Sequence, residues 1–339
     1  MKKILISFCI PTFNRAEYLS ETLSSIIDQS KNDIEIVISD NASEDNTEEI
    51  VNKFSKNFGN LKYFKWEKNV GADLNYMKSV DLASGEYCWL LGSDDQITND
   101  AIDIMRKELE LKKDIYLCSE FFCDEKLIPY KRHYLLGKDQ ASKNFNFSNR
   151  SNLHDYFNLA QSHSALFGYL SVIIFKREKW NQIELDQSYL GTLYSHMYML
   201  YSFIDLGCEV RYLKDLLVKW RSGNDSFGGP GKIVERYKID IFGFLKIGDQ
   251  FFGNDNEIKN LFFKVFRRHH PFTNLAFLRM NTSTSREWYE LEELLIKLNY
   301  NHLSLKILRP SLIKFVLYPL YNINKIIKEI RKIFLKENM

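Results

Sequence analysis

The chain has 339 residues, of which 45% are hydrophobic, 14% aromatic and 27% charged. This length suits two packed units or one α/β domain with a helical extension, and the composition excludes a disordered, collagen-like or low-complexity protein. The net charge of +2 provides no overall positive field, so no nucleic-acid partner is expected.

The first third of the chain alternates apolar runs with helical patterns. Residues 4–10 and 34–39 are short, almost wholly apolar runs, which is typical of buried parallel strands. The opening residues imitate a signal peptide, but Pro11 follows where a small-residue cleavage site would stand, so we interpret them as a strand. Between the two strands, apolar residues recur at helical spacing from Leu19 to Ile27.

The alternation continues to about residue 110 and predicts an open parallel sheet flanked by helices. We expect a helix over residues 47–54, a strand over 61–66, a helix over 75–83 and a strand over 87–91. Beyond residue 110 the pattern predicts a strand over 115–122 and then a polar connection over 138–152 that is either mobile or covers a cleft. It further predicts a helix over 153–159, a strand over 170–176, a helix over 192–206 and a strand with a loop over 210–221. From Lys232 onward nearly every segment is compatible with helix.

The five cysteines are odd in number and scattered, which is unlike a disulfide framework and favours a reducing compartment. Cys118 and Cys123 are close enough in sequence to suggest zinc, but no second pair stands at matching spacing. We therefore interpret them as buried small hydrophobic residues. No stretch reaches the roughly 18 apolar residues that a membrane-spanning helix requires.

Three polar segments each follow an apolar run directly: residues 11–15, 40–43 and 93–95. In an open parallel sheet, ligands bind outside the carboxyl ends of the strands, so these segments should converge on one crevice. Short polar side chains suit a base and a ribose, and the adjacent carboxylates of Asp94 and Asp95 suit a hard divalent cation that bridges a diphosphate. Each segment alone is more often a turn or a helix cap than a functional site, so the functional interpretation depends on the three segments together.

Five segments in order resemble the motifs of family 2 glycosyltransferases of the GT-A fold: residues 9–15, 35–47, 69–71, 83–87 and 93–95. The resemblance covers residues 1 to about 105. It implies an α/β protein with a Rossmann-like, open and mostly parallel sheet flanked by helices, followed by a C-terminal helical extension. It also divides the chain into a nucleotide-sugar-binding half (1–110), an acceptor-binding half (111–230) and a helical region with a basic tail (231–339).

The resemblance further implies a site for a nucleotide-diphosphate sugar and Mn²⁺ or Mg²⁺. The implied donor-binding residues are Pro11, Thr12 and Arg15 around the nucleotide, Asp40 at the base, Asn69 and Gly71 near the diphosphate, and Asp94 near the ribose or sugar. Asn14, Asn41 and Ser93 are further implied donor-binding residues in the same segments. Asp95, with Asp94, is the implied metal ligand. Where many members carry an Arg-Asn pair this chain has Leu74 and Asn75, so one cationic partner of the diphosphate is missing or supplied elsewhere.

Members of this family transfer sugar with inversion, which needs a stabilised leaving group and a base for the acceptor hydroxyl. The position where the family commonly carries an acidic pair falls on Ser195 and His196. His196 is a candidate base, because imidazole takes a proton near neutrality, although a lone histidine on an apolar helix is more often a core residue. Asp186 is the alternative base.

Residues 220–226 are similar to a loop that closes over the donor diphosphate in related enzymes. Arg221 in this segment is a candidate phosphate clamp, because its planar fork of donors matches phosphate oxygens. An ordinary turn built on Gly223 and Asn224 is the alternative.

The C-terminal segment, residues 311–336, mixes aliphatic, aromatic and basic side chains at nearly helical spacing. From Lys306 to the end, eight Lys or Arg stand against two Glu. Such a segment can lie on an anionic membrane surface, and it can equally be a core helix with a solvated face. By analogy with the family we expect a cytoplasmic enzyme, peripheral on the inner face of the membrane, that acts on a glycan or lipid-linked acceptor of a capsule, O-antigen or lipooligosaccharide.

Three other functions stay open. A nucleotidyltransferase could use a similar sheet and metal, but residues 11–15 lack the glycine-rich loop that it should carry. A nucleotide-sugar hydrolase would use the same donor pocket with water as acceptor. A catalytically weak nucleotide-sugar-binding protein is compatible with the missing carboxylate pair.

Overall fold

The computed structural model describes residues 3–223 and 232–310. Within them one sheet contains β1 (Ile6–Thr12), β2 (Ile34–Asp40), β3 (Leu61–Lys65), β4 (Tyr87–Leu90), β5 (Gln96–Ile97), β6 (Ile115–Cys123), β7 (Pro129–His133), β8 (Lys143–Asn146), β9 (Ile173–Lys176) and β10 (Glu209–Arg221). The strand order is β3-β2-β1-β4-β9-β6-β10-β5, with β7 beside β6 and β8 beside β10.

The helices alternate with the strands in the first half and follow them in the last third. They are α1 (Ala16–Ile27), α2 (Thr47–Ser55), α3 (Ala72–Asp81), α4 (Ala101–Leu109), α5 (Arg150–Leu159), α6 (Arg177–Trp180), α7 (Ser195–Tyr201), α8 (Ile233–Phe252), α9 (Asn256–His269), α10 (Phe272–Asn281), α11 (Ser285–Lys297) and α12 (His302–Ile307). The predicted α/β class with a C-terminal helical region is confirmed.

The predicted parallel half of the sheet is formed by β1 to β4. β1 pairs in parallel with β2 and with β4, and β2 pairs in parallel with β3. All seven residues of β2 are buried, which explains its apolar sequence. Thr12 lies opposite Asp40 at the ends of their strands, so the polar segments that follow β1 and β2 emerge side by side.

The second half of the sheet is mixed. β9 lies antiparallel between β4 and β6, and its Ile174 is level with Trp89 on one side and Tyr116 on the other. β10 runs parallel to β6. The carboxyl ends of β1, β2, β4, β6 and β10 therefore share one edge, which is the edge where ligands bind in open sheets.

The C-terminal helices pack on this second half through an aromatic core. Phe244 and Phe252 of α8 contact Phe262 of α9, and Phe262 contacts Tyr201 of α7. Rings of this size bury large apolar areas and dominate core energetics. In the described residues, no helix has the length and hydropathy that a membrane span needs.

The structure corrects two predicted elements. The polar connection over 138–152 contains β8 and the start of α5, because Phe145 and Phe147 in it are buried against Tyr156. The helix predicted over 192–206 begins at Ser195 and continues as a 3-10 helix, Ser202–Leu206. All five cysteines are buried with free thiols. The basic tail lies outside the described residues.

Candidate donor and metal site

The segments after β1 and β2 are locked together by hydrogen bonds. Asp40 is buried, and its carboxylate accepts from the Ser43 backbone N–H at 2.8 Å and from the Tyr63 hydroxyl at 2.7 Å. Burial and this bond to Asp40 raise the pKa of Tyr63. The Asn14 backbone N–H donates to Ser43 Oγ at 2.9 Å, and Asn14 Oδ1 accepts from the Glu44 N–H at 2.9 Å. These bonds fix the two segments as one rigid wall.

The third motif joins this wall through two asparagines. Asn41 Nδ2 donates to Asn69 Oδ1 at 2.9 Å, and the Val70 N–H donates to Asn41 Oδ1 at 2.8 Å. The Gly71 N–H also donates to Asn69 Oδ1, and its φ of +89° is a conformation that favours glycine. The Asn41 N–H in turn donates to the Thr12 carbonyl at 2.9 Å. The structure thus brings the predicted base and diphosphate residues together.

Asn75 has a structural role in the same region. Its side chain accepts from Ser39 Oγ at 2.7 Å and donates to the Thr12 carbonyl at 3.1 Å, inside the core. It therefore ties α3 to the ends of β1 and β2. Leu74, at the position of the cationic residue in many family members, contributes no charge.

The remaining predicted donor residues lie along the same edge. Pro11 pairs with Ser39 inside the sheet, immediately before the loop. Arg15 precedes α1, and its guanidinium carbon lies 5.9 Å from the centre of the Tyr18 ring. Ser93 is buried at the start of the segment that carries the two aspartates.

The Asp95 carboxylate accepts hydrogen bonds from three donors of the protein. Its exposed fraction is 2%. Its Oδ2 accepts from the Tyr169 hydroxyl and from Ser171 Oγ at 2.5 Å, and its Oδ1 accepts from the Arg221 N–H at 3.1 Å. Burial and the neighbouring Asp94 carboxylate raise the pKa of Asp95 to about 8. The positive charge of a divalent cation bound beside the pair would oppose this shift, because it favours the ionised carboxylates.

Gly92 shows that both carboxylates border the same small space. A Cβ at this position would lie 2.7 Å from Asp95 Oδ2 and 3.1 Å from Asp94 Oδ1, which only glycine avoids. Asp94 is half-buried and Asp95 lies deeper. Two carboxylates around one space are a donor set that suits Mn²⁺ or Mg²⁺, so these residues fit the ion that the sequence predicts.

Arg221 contacts residues 93–95, the metal segment, and has a structural role there. Its Nε donates to the Asp94 carbonyl at 2.8 Å, and its Nη1 and Nη2 donate to the Glu125 carbonyl at 2.5 Å and to a Glu21 carboxylate oxygen at 2.6 Å. The guanidinium is buried over the Tyr18 ring, 4.7 Å from its centre. The predicted phosphate clamp is thus not supported in this conformation, because the donors that would face a diphosphate already hold the protein together. Residues 224–226 of the predicted loop lie outside the described residues.

His196 does not occupy the position of a catalytic base. It is buried, its Nε2 bonds to the Phe167 carbonyl at 2.8 Å, and its ring packs edge-on against Tyr76. Burial lowers its pKa to about 4. The structure therefore corrects the sequence hypothesis: His196 is a core histidine.

Asp186 has a capping role in the structure. It caps the 3-10 turn Gln187–Tyr189 by accepting from the Ser188 N–H at 2.8 Å. Hydrogen bonding from the Ser188 hydroxyl, and then from its N–H, lowers the pKa of Asp186. Ser188 is bonded in turn to Lys246 of α8. These contacts link Asp186 to the turn and to α8, and its role as base stays a prediction.

Sequence reasoning missed the residues that organise Asp40 and Asp95. Tyr63, Tyr169 and Ser171 come from other elements and carry no motif of their own. Only the parallel order of the strands could have indicated that the end of β3 lies beside Asp40. Nothing local indicates the contacts of Tyr169 and Ser171, because these depend on the antiparallel entry of β9.

Comparison with known proteins identifies the family. The model described as Glycosyl transferase family 2 matches residues 7–175. Abequosyltransferase RfbV of Salmonella typhimurium is 38% identical over 306 residues, which are 88% of this chain and 90% of that protein. A GalNAc(5)-diNAcBac-PP-undecaprenol beta-1,3-glucosyltransferase of Campylobacter jejuni is 33% identical over 104 residues, 30% of this chain and 34% of that protein.

Solved structures show the same fold. TarS of S. aureus in complex with UDP covers 90% of each chain with a TM-score of 0.57 at 14% identity. The mannosyltransferase PcManGT from Pyrobaculum calidifontis, in complex with GDP-Man and Mn²⁺, covers 89% of this chain and 88% of its own with a TM-score of 0.51 at 14% identity. The chain therefore belongs to glycosyl transferase family 2 and is a glycosyltransferase of the GT-A fold.

Proposed function

We propose that this enzyme transfers a sugar from a nucleotide-diphosphate sugar to a glycan or lipid-linked acceptor during assembly of a surface polysaccharide such as capsule, O-antigen or lipooligosaccharide. One observation carries the proposal: Asp40, the pair Asn41 and Asn69, and the carboxylates of Asp94 and Asp95 all lie at the carboxyl edge of one sheet. Segments far apart in sequence converge there as ligand sites do in open α/β sheets.

The proposed roles follow the geometry. The wall built by Asp40 and Asn14 receives the nucleotide, and the Asn41 and Asn69 network lies toward the diphosphate. Asp94 and Asp95 would hold Mn²⁺ or Mg²⁺, which when bound neutralises charge on the diphosphate leaving group. Tyr169 and Ser171 keep the Asp95 carboxylate in place, so the pair is preorganised.

The substrates of similar proteins support a more specific proposal for the donor sugar. One is an abequosyltransferase, one acts on an undecaprenol-linked saccharide, and TarS has been solved with UDP-GlcNAc. We infer that the donor here carries abequose or a similar sugar and that transfer proceeds by a single displacement with inversion. The anomeric configuration of the product, read by NMR, tests the inversion.

We further propose that the enzyme is cytoplasmic and peripheral on the inner membrane face, through the basic tail over residues 311–336. Its charge and the lipid-linked substrate of one relative support this proposal. We expect the full chain to sediment with anionic liposomes and a chain ending at residue 310 to stay in the supernatant. Equal sedimentation of both would contradict membrane contact through the tail.

A thermal-shift panel tests the donor proposal. Nucleoside diphosphates and their sugars, with and without Mn²⁺, are added to the full chain and Tm is measured. We expect one nucleoside diphosphate to raise Tm, and Mn²⁺ to increase the shift, because a ligand that binds only the folded state stabilises it by mass action. The matching nucleoside without phosphates is the control. Absence of any shift across the panel in the presence of Mn²⁺ would contradict the proposal.

A further inference from the structure

A histidine and a glutamate lie at the same sheet edge as the carboxylate pair. Trp89 and Tyr116 are level with each other, because both lie beside Ile174 of β9. Glu120 lies on β6, three residues before the carboxyl end of that strand. It is near Tyr169, whose hydroxyl binds Asp95, because burial, Asp95 and then the Glu120 charge raise the pKa of Tyr169.

Glu120 orients the histidine. It is 1% exposed, and its Oε1 accepts from His133 Nδ1 at 2.9 Å and from Ser164 Oγ at 2.8 Å. Its Oε2 is buried and has no hydrogen-bond partner among the described residues. Buried carboxylate oxygens are normally satisfied, so this one marks a place where a ligand group can donate.

The other nitrogen of His133 is open to a substrate. The bond to Glu120 places the ring proton on Nδ1, so Nε2 is the basic atom. The His133 side chain is 11% exposed. In the described residues Nε2 has no hydrogen-bond partner, and it is not fully buried. The His133 ring forms one hydrogen bond in the described residues, from Nδ1 to Glu120.

Aromatic rings connect this pair to the metal segment. The His133 ring lies 4.6 Å from Phe122, Phe122 lies 4.9 Å from Trp220, and Trp220 lies 6.4 Å from Tyr169, whose hydroxyl binds Asp95. Phe122, Tyr169 and Trp220 are half-buried. A partly exposed aromatic surface with a few polar groups suits a sugar acceptor.

We propose that His133 is the catalytic base for the acceptor and that Glu120 is its positioning residue, an inference that rests on the proposed function. The acceptor hydroxyl gives its proton to His133 Nε2, and the oxygen lone pair forms the bond to the anomeric carbon. The bond from that carbon to the diphosphate oxygen breaks, and its electron pair leaves with the nucleoside diphosphate. This assignment supplies the base that His196 does not provide, as an alternative to Asp186.

Donor hydrolysis tests the assignment without a known acceptor, because water can take the acceptor position. The nucleotide sugar with the largest thermal shift is incubated with the full chain and Mn²⁺, and release of the nucleoside diphosphate is followed. We expect His133→Ala to lower kcat about 10²-fold or more with the donor Kd unchanged, and added imidazole to restore part of the rate. Glu120→Gln, which keeps the shape of the side chain, should lower kcat about tenfold.

His154→Ala, at a surface histidine outside the site, is the matched control and should keep the wild-type rate. If His133→Ala keeps kcat within twofold, or loses donor affinity in parallel with kcat, the assignment of the base is wrong. If the wild-type chain binds no nucleotide sugar, the proposed function itself fails and the assignment fails with it.

Discussion

Replacing Asp94 with asparagine is expected to lower kcat/KM by about 10²–10³-fold, with the Mn²⁺ concentration needed for half-maximal rate shifted upward. The amide keeps the volume of the side chain but removes a negative charge from the space that Asp94 shares with Asp95. Stabilisation of the leaving charge supplies much of the rate enhancement in such reactions, and loss of one stabilising group in comparable sites lowers the rate by this factor. Initial rates over a Mn²⁺ series measure the effect.

Asp103→Asn is the matched control for Asp94→Asn. The Asp103 side chain is 65% exposed, and its ion pairs with Arg106 and Lys31 lie on the surface. It should keep the wild-type rate and Mn²⁺ dependence, because exposed ion pairs contribute little. An Asp94→Asn enzyme with an unchanged rate and Mn²⁺ dependence would remove Asp94 from the metal site.

Asp73→Ala is expected to lower the free energy of unfolding by about 3–5 kcal/mol. Asp73 is 2% exposed, and its carboxylate accepts from the Gly191 and Leu193 backbone N–H groups at 2.8 and 3.0 Å and from Ser195 Oγ at 2.9 Å. It also accepts from the Tyr76 hydroxyl. Removing it leaves several buried donors unpaired, at about 1–3 kcal/mol each. Urea unfolding followed by circular dichroism measures the change.

Asp81→Ala on the same helix provides the comparison. Its side chain is 68% exposed and pairs only with Lys78 in the described residues, so the change should stay within about 0.5 kcal/mol. If Asp73→Ala costs no more than Asp81→Ala, the bonds of Asp73 do not hold the start of α7 on α3.

The elements of the first half could be predicted because local pattern and tertiary environment agree there. The predicted strand over 34–39 and the observed β2 differ by one residue, since a strand buried on both faces must be apolar throughout. Helix α1 is likewise visible, as its buried positions include Leu19, Leu23 and Ile26 at helical spacing.

The second half was harder to predict because its elements depend on partners. The sequence of β8 is typical of a polar connection. It forms a strand because it pairs with β10 and buries Phe145. β7 was not predicted, since its residues are mostly half-buried or exposed and its pairing with β6 fixes it. Strands of this kind follow tertiary contacts more than sequence periodicity.

The site also has features that the sequence predicts and features that it does not. The convergence of the segments around Asp40 and Asp94 follows from strand order, which periodicity reveals. The contacts of a single side chain do not follow from strand order. Arg221 and His196 are residue types that often act in catalysis or binding, but both are buried here and bond to the protein itself. Glu120 and His133 lie on adjacent antiparallel strands, and no spacing in the sequence indicates that they meet.

The most direct test of a metal and donor site at this sheet edge is the position of Mn²⁺ in crystals of the full chain. The crystals are grown with Mn²⁺ and the nucleoside diphosphate that the thermal-shift panel selects, and an anomalous difference map is calculated. We predict a peak about 2 Å from a carboxylate oxygen of Asp94, with the diphosphate on its other side and the base beside Asp40. A nucleotide bound elsewhere, or Mn²⁺ away from Asp94 and Asp95, would contradict the account.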